Sequence, residues 1–182
     1  MQKSLGMLEI ISIPIGIEAG DAMLKAAEVE LVTAQPVCAG KYIVIVVGDV
    51  AAVNAAIKAG AAIAGTKMID SLSIANIHEQ VPKAINGCTE AHEVFAIGAM
   101  ETFSLCAAIL AADEAVKTAN INLLEIRLGR GLGGKSFVTL SGEVAAVKEA
   151  VTAASKKKEV QGLISDSVVI PAPHPEIAKT LF

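Results

Sequence analysis

The sequence predicts an α/β (α+β) protein of two tandem domains, each a four-stranded, mainly antiparallel sheet with helices packed on it. The chain of 182 residues contains an internal repeat that spans most of its length. Within each copy, segments with strand periodicity are interleaved with Ala-rich helical segments. Two strands of each copy are joined by a short loop, which favours antiparallel pairing. Each copy holds roughly 90 residues, enough for a small domain.

The repeat keeps the order of its segments while its offset grows. Matching segments begin at Asp21 and Asp113, at Gly40 and Gly134, and at Ser71 and Ser167, so the offset rises from 92 to 94 to 96 residues. Small insertions are therefore expected in loops, with the fold of both copies unchanged. We predict a first domain over residues 1–90 and a second over residues 91–182, joined within Asn86–Ala96.

The first copy predicts its elements in order. A strand over 6–12 is followed by an Ala-rich helix over 18–29, a hairpin of strands 29–35 and 41–47, a second helix over 49–64, a closing strand over 68–77 and a short helix. Asp49 is expected as the N-cap of the second helix. In the second copy, Glu143 marks the corresponding helix start, and 102–112 is expected to form a buried helix face.

The stretch GRGLGGKS, Gly129 to Ser136, matches the phosphate-binding P-loop pattern. That motif requires a helix directly after it, because the N–H groups of the helix bind the phosphates. The following residues FVTLSG alternate as a strand does, and the preceding residues NINLLEIRL are also strand-like. The glycines are therefore predicted to form a hairpin loop, and a nucleotide site is not expected.

Composition and charge exclude several classes of function. The net charge of −4 gives no electrostatic reason to expect nucleic acid. No uncharged run approaches the ~20 residues of a membrane span, and the N-terminus lacks a secretion signal. Three cysteines without regular spacing suit a reducing cytosol.

The high apolar content predicts an interface between copies of the chain. The sequence is 53% hydrophobic, and small domains cannot bury that much apolar surface alone. If a single-domain ancestor formed a six-membered ring, a fused pair would form the same ring from three chains.

Both copies resemble the shell proteins of bacterial microcompartments. The resemblance rests on LGMLEI, EAGDAMLKAAEVELV, GKYIVIVVGDVAAVNAAIKAG and IANIH in the first copy and on their counterparts in the second. Two copies in unpermuted order are similar to the tandem-domain, trimer-forming class, and among these to the propanediol-utilisation type. The resemblance implies a homotrimeric, pseudohexameric tile that assembles with other shell proteins into a microcompartment shell in the cytoplasm.

The resemblance also implies positions at the edge of the tile. Lys25 and Lys117 match the family's edge lysine, which packs against the neighbouring tile. Asn76 and Ala172 stand where single-domain members have an arginine that joins tile to tile, so weaker or different edge contacts are expected. His78 and His174 occupy one position of the repeat, which suggests a role in the fold rather than in metal binding.

The resemblance further implies that two unlike hairpin loops alternate around a central pore. The expected pore residues are Val37, Cys38, Ala39 and Gly40 from the first domain and Arg130, Gly131, Leu132 and Gly133 from the second.

Cys38 has no counterpart in the second loop, so the fold does not demand it. Three chains would bring three thiols to one axis, and thiolates suit iron–sulfur clusters. The resembled type holds one [4Fe–4S] cluster per trimer in this way, for electron transfer across the shell or cluster delivery. An encapsulated or cytosolic redox protein would then be a partner. Cys88 and Cys106 are expected to be incidental or core residues.

Two alternatives stay open at this point. A tile without a cluster would have a thiol at the pore rim, and its pore would conduct small metabolites, with Arg130 favouring anions. A cysteine-dependent enzyme would use Cys38 as nucleophile with a histidine base, or the carboxylates of Glu9 and Glu101. Because both carboxylates recur in the repeat, a structural role is favoured for them.

Overall fold

The computed structural model describes residues 3–87 and 95–181, which form two compact units. The first unit comprises Met1–Ile77 and the second His78–Phe182. The sequence prediction divided the chain after residue 90, whereas residues 78–87 group with the second unit. Most of the expected joint, Cys88 included, lies outside the described residues.

The first unit contains one antiparallel sheet and two long helices. Its elements are β1 Ser4–Ile10, α1 Ile13–Ala26, β2 Glu30–Val37, β3 Lys41–Gly48, α2 Val50–Ala64 and β4 Met68–Ile74. The strand order is β2-β3-β1-β4, and each neighbouring pair is antiparallel. Helices α1 and α2 pack on each other and on the sheet.

The second unit repeats this plan, with a short helix before it. Its elements are α3 Gln80–Ile85, β5 Ala96–Thr102, α4 Leu105–Thr118, β6 Ile121–Leu128, β7 Ser136–Gly142, α5 Val144–Lys156, β8 Ile164–Ile170 and α6 Pro175–Ala178. The order β6-β7-β5-β8 matches that of the first sheet, again with antiparallel neighbours. Two four-stranded antiparallel sheets with helices confirm the predicted fold class.

The strand register repeats as closely as the strand order. Glu9 lies opposite Ile43 and Asp70, and its counterpart Glu101 lies opposite Phe137 and Asp166. Both edge strands, β2 and β6, carry a bulge at the same repeat position. Since a slip of one residue would exchange the buried and exposed faces of a strand, this shared register keeps the same positions in both cores.

Small residues let the helices approach the sheets closely. A Cβ on Gly16 of α1 would lie 2.5 Å from Cβ of Tyr42. The equivalent second-unit positions hold Ala108 and Ser136, both buried. In the first unit glycine on the helix makes room for a tyrosine on the sheet, and in the second unit alanine on the helix accompanies a serine on the sheet. Both combinations keep the core densely packed.

One helix start differs from the sequence prediction, and a second agrees with it in position but not in its hydrogen bond. Helix α1 begins at Ile13, with Pro14 in its first turn, and not at Glu18. Proline is tolerated in a first turn because the N–H it lacks would have no intrahelical partner there. Asp49 occupies the N-cap position of α2 as expected, but its side chain forms no capping hydrogen bond.

Candidate functional site

The β2–β3 hairpin of the first unit ends in a short, anchored loop. Val37 and Lys41 form the last strand pair, so Cys38, Ala39 and Gly40 make up the loop. Val37 is buried, and Lys41 Nζ donates a hydrogen bond to the buried Glu9 carboxylate. The base of the loop is thus fixed to the sheet on both strands.

Cys38 lies at the tip of this hairpin as a half-buried thiol. Ala39 and Gly40 beside it are exposed. Gly40 has φ +73°, and an added Cβ there would meet nothing within 4 Å. The turn therefore needs glycine for its left-handed backbone and not for packing.

The β6–β7 loop of the second unit is longer and rich in glycine. Leu128 and Ser136 form its last strand pair, so the loop spans 129–135. Gly129, Gly131, Gly133 and Gly134 all have positive φ. The Arg130 side chain is exposed between the first two of them, and the loop is closed by Lys135 N–H, which donates to Leu132 C=O at 3.2 Å.

This geometry confirms that the glycines of GRGLGGKS form the predicted hairpin loop. Strand β7 begins at Ser136, so the motif is not followed directly by the helix that a phosphate loop requires. The motif lysine, Lys135, lies 2.7 Å from Glu101 Oε2. Ser165 Oγ donates to the same oxygen at 2.9 Å. The hydrogen bonds from Lys135 and Ser165 lower the pKa of Glu101, because they stabilise its charged form.

The carboxylates considered for an enzyme are therefore each paired with a lysine at the start of the second hairpin strand or directly before it. Glu9 with Lys41 and Glu101 with Lys135 are one contact of the fold, repeated. The two histidines repeat a contact as well. His78 Nδ1 accepts from Gln80 N–H at 3.3 Å, and His174 Nδ1 accepts from Glu176 N–H at 3.2 Å. These contacts stabilise the starts of α3 and α6.

The lysines expected at the tile edge form the same ion pair in both units but differ in exposure. Lys25 lies 2.6 Å from Asp21 with both side chains mostly exposed, and Lys117 lies 2.6 Å from Asp113, whose side chain is only 5% exposed. Asn76 and Ala172 are exposed, and Asn76 has φ +57°, a conformation that asparagine tolerates.

Sequence reasoning missed the contacts of Gln80 and the backbone bond to Asp113. Gln80 Oε1 accepts from Leu123 N–H at 2.8 Å, and its Nε2 donates to Ile121 C=O at 3.4 Å. His78 N–H donates to Asp113 Oδ1 at 2.9 Å. The recurrence of Asp21 at Asp113, on a helix face that is otherwise apolar in the second copy, was the available signal.

Within residues 3–87 and 95–181 of one chain, no group of three His, Cys, Asp or Glu side chains is placed to hold a metal ion. Over the same residues, no helix is long and apolar enough to cross a bilayer. Cys106 is buried in α4, in keeping with a core residue.

The family of this chain is shown by a family model that matches both units. The family model of the BMC domain matches residues 4–77 and 96–173. The chain belongs to the BMC-domain family. The two matched stretches contain the two sheets with their helices, so this protein is a tandem BMC-domain protein, as the resemblance predicted.

Similar proteins cover nearly the whole chain. This BMC-domain protein is 43% identical over 174 residues to the bacterial microcompartment shell protein PduT of Citrobacter freundii, covering 96% of this chain and 95% of PduT. A crystal structure of a microcompartment protein from Desulfitobacterium hafniense DCB is 47% identical, with a TM-score of 0.95 over 98% of this chain and 99% of that one.

A more distant structure shares the fold. The fused permuted hexameric shell protein of the RMM microcompartment has 23% identity and a TM-score of 0.62, with coverage of 87% of this chain and 82% of that chain.

Proposed function

We propose that this BMC-domain protein is a structural tile of a bacterial microcompartment shell in the cytoplasm. Three copies would form a pseudohexamer that assembles edge to edge with other shell proteins. The observation that carries the proposal is the pair of units with the same strand order and register. Three chains then supply six like domains for one closed ring. The full-length similarity to the shell protein PduT supports the same function.

The two unlike hairpin loops are the proposed pore lining, alternating around the ring axis. Their unequal length and chemistry support different tasks. The three-residue loop carries a soft thiol on a fixed base, and the seven-residue loop carries an exposed guanidinium on a glycine-rich backbone. Lys25 and Lys117 are proposed to contact neighbouring tiles.

We further propose that Cys38 from three chains holds one [4Fe–4S] cluster at the pore. The donor set fits this group, because a half-buried thiol at a hairpin tip lies outside the hydrophobic core and thiolates are the ligands that iron–sulfur clusters prefer. A cluster bound there would supply one-electron redox chemistry. The chain's own contribution is to fix each thiol through Val37 and the Lys41–Glu9 pair. A redox protein on either side of the shell would be the partner in electron transfer.

Native mass spectrometry of protein purified without oxygen tests the proposal. We expect a trimer that carries the added mass of four irons and four sulfides. Cys38→Ser should leave the trimer and remove the iron, while Cys88→Ser, as the matched control, should retain it. A Cys38→Ser trimer with normal iron content would contradict the cluster site, and a wild-type monomer would contradict the tile.

A tile without a cluster is the second candidate, favoured by the exposed Arg130 in the longer loop. Its open pore would conduct small anionic metabolites, since a ring of guanidinium groups raises the local concentration of anions. Iron-free trimers under the same anaerobic conditions, with an anion conductance in planar bilayers or across shells that falls on Arg130→Ala, would favour this candidate.

A further inference from the structure

One face of the first unit is exposed although the same face of the second unit is buried. We define the α1–β2 face by Ile17 and Leu24 on α1 and Leu31 on β2. Their side chains are 56%, 41% and 44% exposed. The repeat counterparts of these residues in the second unit, Ile109, Val116 and Leu123, are only 0%, 9% and 1% exposed. Three apolar positions thus lack in the first unit the cover that they have in the second.

The second unit has helix α3 on that face. Helix α3 packs against β6 and α4, and Val81 in it is fully buried. Gln80 binds the backbone of the edge strand β6 through both of its amide atoms. The N–H of His78 reaches the Asp113 carboxylate. Apolar burial and backbone hydrogen bonds therefore hold the segment 78–85 in place.

The repeat counterpart of that segment is the end of the chain. Residues 174–181, here called the terminal segment, place His174, Glu176 and Ile177 at the positions of His78, Gln80 and Val81. The two segments share their first turn, because in each the histidine Nδ1 accepts the N–H two residues later. Ile177, however, is 53% exposed. The terminal segment therefore has the same first turn as the docked segment 78–85, but its apolar residue Ile177 is exposed.

The first unit also carries the matching acceptor groups. Asp21 Oδ2 is bound to Lys25 Nζ at 2.6 Å, as Asp113 Oδ2 is bound to Lys117 Nζ at 2.6 Å. Strand β2 is an edge strand with the same bulge as β6, after Leu31 in place of Leu123. An edge strand presents backbone N–H groups that a second chain can bind.

We propose that the terminal segment of one copy docks on the α1–β2 face of a second copy. Ile177 would cover Leu24 and Leu31, His174 N–H would donate to Asp21, and Glu176 would accept from Leu31 N–H. The contact joins two different surfaces, so it repeats head to tail and closes into a ring when the rotation allows it. This inference rests on the proposed homotrimer and names the contact that closes it.

One side chain that hydrogen-bonds to the edge strand differs between the docked contact and its intrachain counterpart. Gln80 both accepts from and donates to the β6 backbone, whereas the Glu176 carboxylate can only accept. The inter-copy contact therefore lacks one hydrogen bond. Glu176→Gln should restore it and tighten the association by about 5-fold per contact, the value of one net hydrogen bond.

Cross-linking between two differently tagged full-length chains tests the contact. Both chains carry Cys38→Ser and Cys88→Ser; one also carries Asp21→Cys and the other His174→Cys. After mixing and reassociation, a short bifunctional maleimide should link the two tags. The matched control replaces Asp21→Cys by Lys58→Cys, an exposed position on α2, and should give no link between the tags.

Sedimentation of the otherwise wild-type chain completes the test. Ile177→Asp should raise the trimer dissociation constant by at least about 10-fold, since it places a charge where an apolar side chain is buried. If the cross-linking chains assemble into trimers without a link between positions 21 and 174, and Ile177→Asp leaves the trimer dissociation constant unchanged, this inference is overturned and the tile stands. A wild-type monomer would overturn both.

Discussion

The two units share strand order and register but differ at two places, their hairpin tips and the surface beside their first long helix. The first unit ends its hairpin in three residues with a thiol, and the second in seven residues with four glycines of positive φ. The first leaves Leu31 exposed, and the second covers Leu123 with α3. Duplication thus preserved the core and changed the hairpin tips and this part of the surface.

The largest expected difference concerns the two equivalent aspartates. Asp113→Ala should lower the free energy of unfolding by about 2 to 3 kcal/mol, because it leaves the His78 N–H and the half-buried Lys117 without their acceptor. Asp21→Ala should cost less than about 1 kcal/mol, since its pair with Lys25 is exposed. Urea denaturation followed by circular dichroism measures both.

The comparison is made in an Ile177→Asp background, which removes the proposed contact between copies. Equal losses of stability in the two variants would contradict the structural asymmetry between the units. In the background with Ile177 intact, Asp21→Ala should in addition weaken the trimer.

The second prediction gives the first unit the residues that the second unit has at one helix–sheet contact. Gly16→Ala should destabilise the first unit by about 1 to 2 kcal/mol, because the new Cβ would lie 2.5 Å from Cβ of Tyr42, and this outweighs the helix propensity of alanine. Adding Tyr42→Ser reproduces the Ala108 and Ser136 combination of the second unit. The double variant should therefore relieve the clash.

Tyr42 is the single tyrosine of a chain without tryptophan, so its fluorescence reports the unfolding of the first unit in the Gly16→Ala variant. Circular dichroism serves for the double variant. If Gly16→Ala unfolds at the same urea concentration as the wild type, the packing difference between the units carries no energetic weight.

The smallest expected effect is a dependence of the second unit's stability on pH, which arises from Glu101. The hydrogen bonds from Lys135 and Ser165 hold the pKa of Glu101 below its ordinary value. A group with a lowered folded pKa contributes stability above its unfolded pKa and loses it as pH falls through the folded pKa. The second unit should therefore lose a little stability as pH falls below ~4.5.

Glu101→Gln should remove this part of the pH dependence and leave stability at neutral pH slightly lower. Thermal melts between about pH 3 and 7, compared with those of Lys135→Met, measure it. An unchanged slope below pH ~4.5 in Glu101→Gln would assign the pH dependence to other carboxylates.

The sequence predicted most of the scaffold because its signals are local. Strand periodicity in KYIVIVV and the repeat at Gly134 placed both hairpins, and the strand after GRGLGGKS excluded a phosphate loop. The start of α1 was missed because Pro14 followed by Gly16 is typical of a turn, while proline is also compatible with a first helical turn.

The position of α3 could not be predicted from local signals. Its partners Asp113 and Leu123 lie 35 and 43 residues from His78 and Gln80, and periodicity contains no information on contacts at such separations. Likewise, a cysteine at a hairpin tip can be recognised in the sequence, but which groups lie near it in an assembly cannot. The fold class can therefore be predicted from sequence periodicity, whereas the position of α3 depends on tertiary contacts that periodicity does not reveal.

The position of α3 has a consequence for how the ring would respond to dilution. Helix α3 ends at Ile85 and β5 begins at Ala96 in the same chain, so α3 meets β6 and α4 at a high effective concentration that does not depend on the amount of protein. The terminal segment has no such tether to the α1–β2 face of another copy. Dilution would therefore release the terminal segment from the neighbouring copy, while α3 would stay bound to the second unit of its own chain.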